Sequence, residues 1–179
     1  MANLLTAIRL LLVIPVAMAI ANESLFTSWL LLALIVIAIA SDYFDGKVAR
    51  ALKTASARGM LFDHGTDFIF VTIALFALST IGLSSVLLPL LIVVAFSQYV
   101  LDSYFLFKQK QLRMSFLGRW NGIFYFVPIV LVAASRLPAF DQVQDNFNLI
   151  IVYSNYALTI STLASIVDRA IAPMLQKEI

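Results

Sequence analysis

Ser41 to Asp67 read SDYFDGKVARALKTASARGMLFDHGTD, a polar junction between two long apolar runs. Asp42, Asp45, Asp63 and Asp67 fall at or inside the edges of those runs. Runs of this length and uniformity are bilayer-crossing helices, because a helix satisfies its own backbone polar groups in lipid. The four carboxylates therefore stand near hydrocarbon, where an aspartate at mid-membrane costs about 2.5–3.5 kcal/mol and less towards the interface. Something must offset that cost.

The rest of the chain fits the same reading. Of its 179 residues 62% are hydrophobic and 12% charged, with a mean hydropathy of +0.97. A soluble domain of this size has no interior large enough for so much apolar surface. The class is all-α polytopic membrane protein, with residues 1–179 as a single domain. A net charge of +2 gives no case for nucleic acid, since basic residues flank membrane spans for topological reasons. With no cysteine, disulfides and thiolate metal sites are excluded. The opening MANLLTAIRLLLVIPVAMAIANES has the outline of a signal peptide, but its apolar run extends back through Leu4 and Leu5 to the length of a span.

Apolar segments recur at 4–21, 26–50, 60–81, 85–107, 116–135 and 147–171, which predicts six transmembrane helices around a polar cavity. With the N-terminus in the cytoplasm, eleven of the twelve basic residues fall on or near the inner face: Arg9, Lys47, Arg50, Lys53, Arg58, Lys108, Lys110, Arg113, Arg119, Arg169 and Lys177. Arg136 alone falls outside, beside Asp141 and Asp145. The positive-inside rule then places both termini, the acidic stretch and the mouth of the cavity on the cytoplasmic side.

Asp42 and Asp45 are three apart on one helix, Asp63 and Asp67 four apart on the next, so each pair shares a helix face. The short loop between makes the helices antiparallel neighbours, and the four carboxylates converge. Asp42 lies ~12 Å along its helix from Arg50, one to two turns below the inner surface. Either most of the four are protonated, or cations sit among them; two divalent ions would balance four carboxylates. Hard oxygen ligands select Mg²⁺, Mn²⁺ or Ca²⁺ over zinc, and two such ions suit the transfer of a phosphoryl centre. Gly46, Ala49 and Gly59 leave room for a base or a diphosphate to approach the backbone. Small residues also pack membrane helices together, and taken alone these three fit that role equally well.

Taken together, Asp42-x-x-Asp45-Gly46-x-x-Ala49-Arg50, eight residues, then Gly59-x-x-x-Asp63-x-x-x-Asp67 resembles the signature of the CDP-alcohol phosphatidyltransferase family. Asn3-Leu4-Leu5-Thr6 resembles the element that opens the family's first helix and helps hold the nucleotide. The resemblance implies transfer of a substituted phosphate from a CDP-linked donor to an alcohol, with release of CMP. It implies two divalent ions, Mg²⁺ first and Mn²⁺ second, one on Asp42, Asp45 and Asp63 and the other on Asp42, Asp63 and Asp67. Asp67 would also be the catalytic base for the acceptor hydroxyl. Asn3, Leu4, Leu5, Thr6, Gly46, Ala49, Arg50, Ser56 and Gly59 would contact the cytidine diphosphate. A CDP-diacylglycerol donor would keep its tails in the bilayer, and the family often forms homodimers. The setting implied is a bacterial inner membrane.

Arg9, Lys108, Arg113 and Arg119 are the candidates for an acceptor that itself carries phosphate, such as glycerol 3-phosphate; the same charges also serve topology. The C-terminal run ALTISTLASIVDR resembles the end of bacterial phosphatidylglycerophosphate synthases. DGKVAR followed by LFDHGTD instead resembles choline and ethanolamine phosphotransferases, where the CDP-alcohol is donor and diacylglycerol the acceptor. His64 is expected beside the metal and not on it. Asp102 is expected to face the cavity, and Asp168 to pair with Arg169 or lie at the interface. A small cation transporter is the reading from a different class; it suits paired carboxylates but not a site at the inner edge, with no matched pair of broken helices.

Overall fold

A computed structural model describes residues 2–51, 57–103 and 116–175. Among these the secondary structure is helical throughout, without a strand. The helices are α1 (Ala2–Ala21), α2 (Ser28–Ala51), α3 (Ala57–Thr80), α4 (Leu87–Leu101), α5 (Phe116–Phe124), α6 (Phe126–Ser135) and α7 (Gln144–Leu175), with a 3-10 turn at Pro138–Val143 before α7. Among the described residues, four stretches are long and apolar enough to cross a membrane: Ser28–Asp45, Gly59–Thr80, Phe116–Ser135 and Pro138–Ile171. Leu5–Ala21 and Leu87–Leu101 are shorter apolar helices, and residues 104–115 lie outside the described residues.

α5 and α6 form one expected span interrupted at Tyr125. Pro128 explains the interruption: it has no N–H for the carbonyl four residues back, at Phe124, and its ring crowds that carbonyl. The turn preceding it stays closed through the Tyr125 N–H, which donates to Asn121 O at 2.9 Å.

α1 packs against α2 and α3, while α7 packs against α4, α5 and α6. α6 joins the two groups by touching α2 and α3, and α3 also meets α4. Each helix of the first group buries one stripe. On α1 it runs Thr6, Arg9, Val13, Val16 and Ile20; on α2, Leu31, Ile35, Ala38, Ser41 and Asp45. Steps of three and four residues identify these as single helix faces. The polar positions thus prolong the same stripes that form the core with Phe70, Leu75 and Leu78 of α3. Large apolar side chains such as Leu11, Ile14, Phe76, Leu90 and Ile160 point outward, as lipid solvation requires.

At the other end of α1, the guanidinium of Arg136 donates to the carbonyls of Ala19 and Ile20, both at 2.7 Å. Its Nε lies 2.9 Å from a carboxylate oxygen of Glu23. These are terminal carbonyls that α1 cannot bond internally. Burial draws the Arg136 guanidinium below its ordinary pKa, with Glu23 opposing. The one basic residue expected outside therefore caps α1.

Candidate active site

Asp45 lies ~9 Å from the end of α2 and Asp63 ~9 Å from the start of α3, while Asp42 and Asp67 lie ~14 and ~15 Å in. The quartet thus has a shallow pair and a deep pair, one member of each on each helix. α1 addresses both levels. Thr6 Oγ1 donates to Asp45, which is 5% exposed. One turn further along, Arg9 reaches the other three. Its Nη2 lies 3.0 Å from Asp42 Oδ1. Its Nη1 donates to Asp63 Oδ1 at 3.2 Å and also to Asp67 Oδ1.

Arg9 is fully buried, whereas the side chains of Asp42, Asp63 and Asp67 are 44%, 26% and 25% exposed. The carboxylates thus keep an open side, and the guanidinium fills the protein side. Arg9 was expected with the acceptor-binding residues; the structure puts it inside the acidic cluster. Its Nε and Nη2 have no aligned hydrogen-bond acceptor, so Asp42 holds Nη2 by charge and proximity.

Asp63, His64 and Asp67 each offer a donor atom, all within 4.8 Å of one another, forming a group able to hold a metal ion. Oxygen donors with at most one imidazole fit a hard divalent cation. His64 was expected beside the metal; here it stands among the available donors.

Asp42 and Asp67 open onto a cavity of about 530 Å³ between α2, α3, α4, α5, α6 and α7. Phe68 and Phe96 stack along its wall, with ring centroids 4.2 Å apart and planes 8° from parallel. Ile39, Val71 and Ile92 extend the apolar lining. At the α4–α5–α7 end the lining turns polar, with Tyr99, Arg119, Asn121, Ser165 and Arg169. Tyr99 Oη and Asn121 Nδ2 are buried without a hydrogen-bond partner. Asn121 is held in place through its other amide atom, Oδ1, which accepts from Ser161 at 2.6 Å. Arg169 lies over the Tyr99 ring at 5.0 Å and 3.7 Å from Asp102, so its ion-pair partner is Asp102 while the neighbouring Asp168 is exposed.

Arg119 lines the cavity, with its side chain exposed. Leu5 and Gly59 are half-buried. The side chains of Asn3, Leu4, Gly46, Ala49 and Arg50, and all of Ser56, Lys108 and Arg113, lie outside the described residues. Sequence reading did not single out Tyr99, Asn121 or Ser165. A signal existed on α7, where Asn155, Thr159, Thr162, Ser165 and Arg169 recur every three or four residues in an apolar helix.

Comparison with the curated proteins and with the solved structures found no match. A sequence model of the CDP-alcohol phosphatidyltransferases matches residues 1–166, a span that contains the quartet, Thr6, Arg9 and the cavity lining apart from Arg169. The chain belongs to the CDP-alcohol phosphatidyltransferase family, and is a transferase of phospholipid synthesis whose apolar helices fit an integral membrane protein.

Proposed function

We propose that the protein transfers a phosphatidyl group from CDP-diacylglycerol to the hydroxyl of a small polar alcohol, such as glycerol 3-phosphate, and releases CMP. The observation that carries this reading is the gathering of Asp42, Asp63 and Asp67 around Arg9, with Asp42 and Asp67 lining a largely apolar cavity and Asp45 held by Thr6. Asp42, Asp45 and Asp63 would hold one divalent cation, and Asp42, Asp63 and Asp67 a second, with Mg²⁺ the natural ion for an oxygen site. Bound there, the ions supply charge that stabilises the attacking and leaving oxygens. Asp67 takes the proton of the acceptor hydroxyl. The freed oxygen bonds to the phosphatidyl phosphorus, and the bond to CMP breaks with its electron pair going to CMP. The apolar wall of Phe68, Val71, Ile92 and Phe96 suits acyl chains, while Arg119 at the polar end suits an anionic acceptor.

Six crossings, with the quartet towards the cytoplasm, are supported by the basic residues gathered at that end of the chain's helices. A second reading reverses the roles, with a CDP-alcohol as donor and diacylglycerol as acceptor. The same apolar wall supports it, because diacylglycerol occupies the membrane side in either case.

The test is CMP release by purified protein in lipid nanodiscs. With Mg²⁺, CDP-diacylglycerol and glycerol 3-phosphate should yield CMP and a phosphatidyl product, and chelation should stop the reaction. Asp67→Asn should lower the rate at least ~100-fold, the range for loss of a positioned base. Turnover of CDP-choline with diacylglycerol, and not of CDP-diacylglycerol, would establish the second reading. Release of CMP from neither donor would end both.

A further inference from the structure

The quartet brings four carboxyl groups together, and the structure shows one basic side chain, Arg9, embedded among three of them. Arg9 is an unusual choice for glue. It is fully buried, and yet two of its three nitrogens lack aligned acceptors. A residue selected to bind three carboxylates permanently would satisfy its fork of donors, since buried guanidinium nitrogens are costly to leave unpaired. Nη1 sits within reach of both Asp63 and Asp67, in the space from which a cation would bind the two together.

We infer that Arg9 is an internal counter-ion that competes with divalent metal for Asp42, Asp63 and Asp67 and gives way when metal binds. The inference rests on the reading of these carboxylates as metal ligands, and two physical arguments carry it. The first is charge. Two divalent ions already balance four carboxylates, so a guanidinium left in contact adds an unscreened like charge beside them. The second is position. Arg9 Nη1 donates to Asp63 Oδ1 and Asp67 Oδ1 together, so the atom that bridges these two carboxylates occupies the place a shared cation would take. Arg9 is then a positioning residue: it keeps α1 docked and the quartet assembled, at the expense of metal affinity.

The experiment measures Mn²⁺ affinity by electron paramagnetic resonance in nanodisc-embedded protein stripped by a chelator, together with thermal unfolding with and without Mg²⁺. Arg9→Gln removes the competing charge and should bind Mn²⁺ at least ten times more tightly than the unmodified chain. It should unfold at a lower temperature in chelator and gain more from added Mg²⁺. Arg9→Lys keeps the charge but cannot bridge three carboxylates, and its affinity should fall between the two. A purely structural Arg9 would move the unfolding temperature and leave Mn²⁺ affinity unchanged or weaker, which would overturn the inference. Should Arg9→Gln fail to fold, Arg9→Lys affinity equal to or below that of the unmodified chain would do the same. Absence of Mn²⁺ binding in every form would overturn the metal-site reading as well, and so separates the two failures.

Discussion

Thr6 and Arg9 stand one turn apart on α1 and divide the quartet between them, Thr6 holding Asp45 and Arg9 holding Asp42, Asp63 and Asp67. Asp45 is the most buried of the four. Removing its hydroxyl donor leaves a carboxylate with less support where little water can replace it. Thr6→Val should therefore destabilise the protein by about 1–3 kcal/mol, the usual desolvation cost of such a loss. Thermal unfolding in nanodiscs would show it as a lowered midpoint. Were Thr6 engaged with nucleotide alone, the midpoint would hold and the KM for the CDP donor would rise instead. The four aspartates could be found from sequence because helix spacing is local: residues three and four apart must share a face. Arg9 could not be placed that way. Its partners Asp63 and Asp67 are 54 and 58 residues away, and a basic residue near a span has an equally good topological explanation.

At the scale of elements, run length and hydropathy fixed which segments are helices, and punctuation fixed their ends. α3 shows the second effect. Gly82, at φ +79°, follows the helix, and Leu83 N–H donates to Leu78 O at 3.1 Å while Gly82 N–H donates to Ser79 O at 3.2 Å. This is the Schellman arrangement, and it requires a left-handed residue. A Cβ at Gly82 would meet nothing within 4 Å, so the cost of Gly82→Ala is conformational and not steric. It should destabilise by about 1–2 kcal/mol, the left-handed penalty for an L-residue. Denaturant titration in mixed micelles would test this, and an unchanged midpoint would mean that the turn re-forms at no cost. The break between α5 and α6 went unread because the segment 116–135 is apolar enough over its whole length to read as one span. Pro128 marked it, and the backbone bond it deletes explains it. The polar stripe of α7 was equally hard to read, since small hydroxyl residues barely lower hydropathy while their 3–4 spacing sets them on one face.

Over the whole molecule, two helix groups enclose a cavity whose acidic mouth comes from α2 and α3 and whose polar far end comes from α4, α5 and α7. No stretch of sequence contains both ends, which is why the polar end was less legible than the quartet. The cavity also gives the reading a test independent of the carboxylates. Ala95 lines it from α4, where a larger side chain would fill space that a lipid chain is proposed to occupy. Ala95→Trp should raise the KM for the lipid substrate about tenfold, a loss of ~1.4 kcal/mol in binding, and leave Mn²⁺ affinity unchanged. An unaltered KM would put the lipid elsewhere.

The Arg136 clamp bears on how α1 can respond to what enters that cavity. Hydrogen bonds to Ala19 and Ile20 pin one end of the helix, whereas the end bearing Thr6 and Arg9 is held by the groups a substrate would engage. About 15 Å of helix separates them, with Pro15 between. The pinned end is a fulcrum and the other a lever arm: a 2 Å displacement at Arg9 would correspond to a tilt of roughly 8° over that length. The side of the protein away from the quartet would stay sealed while the lever swings.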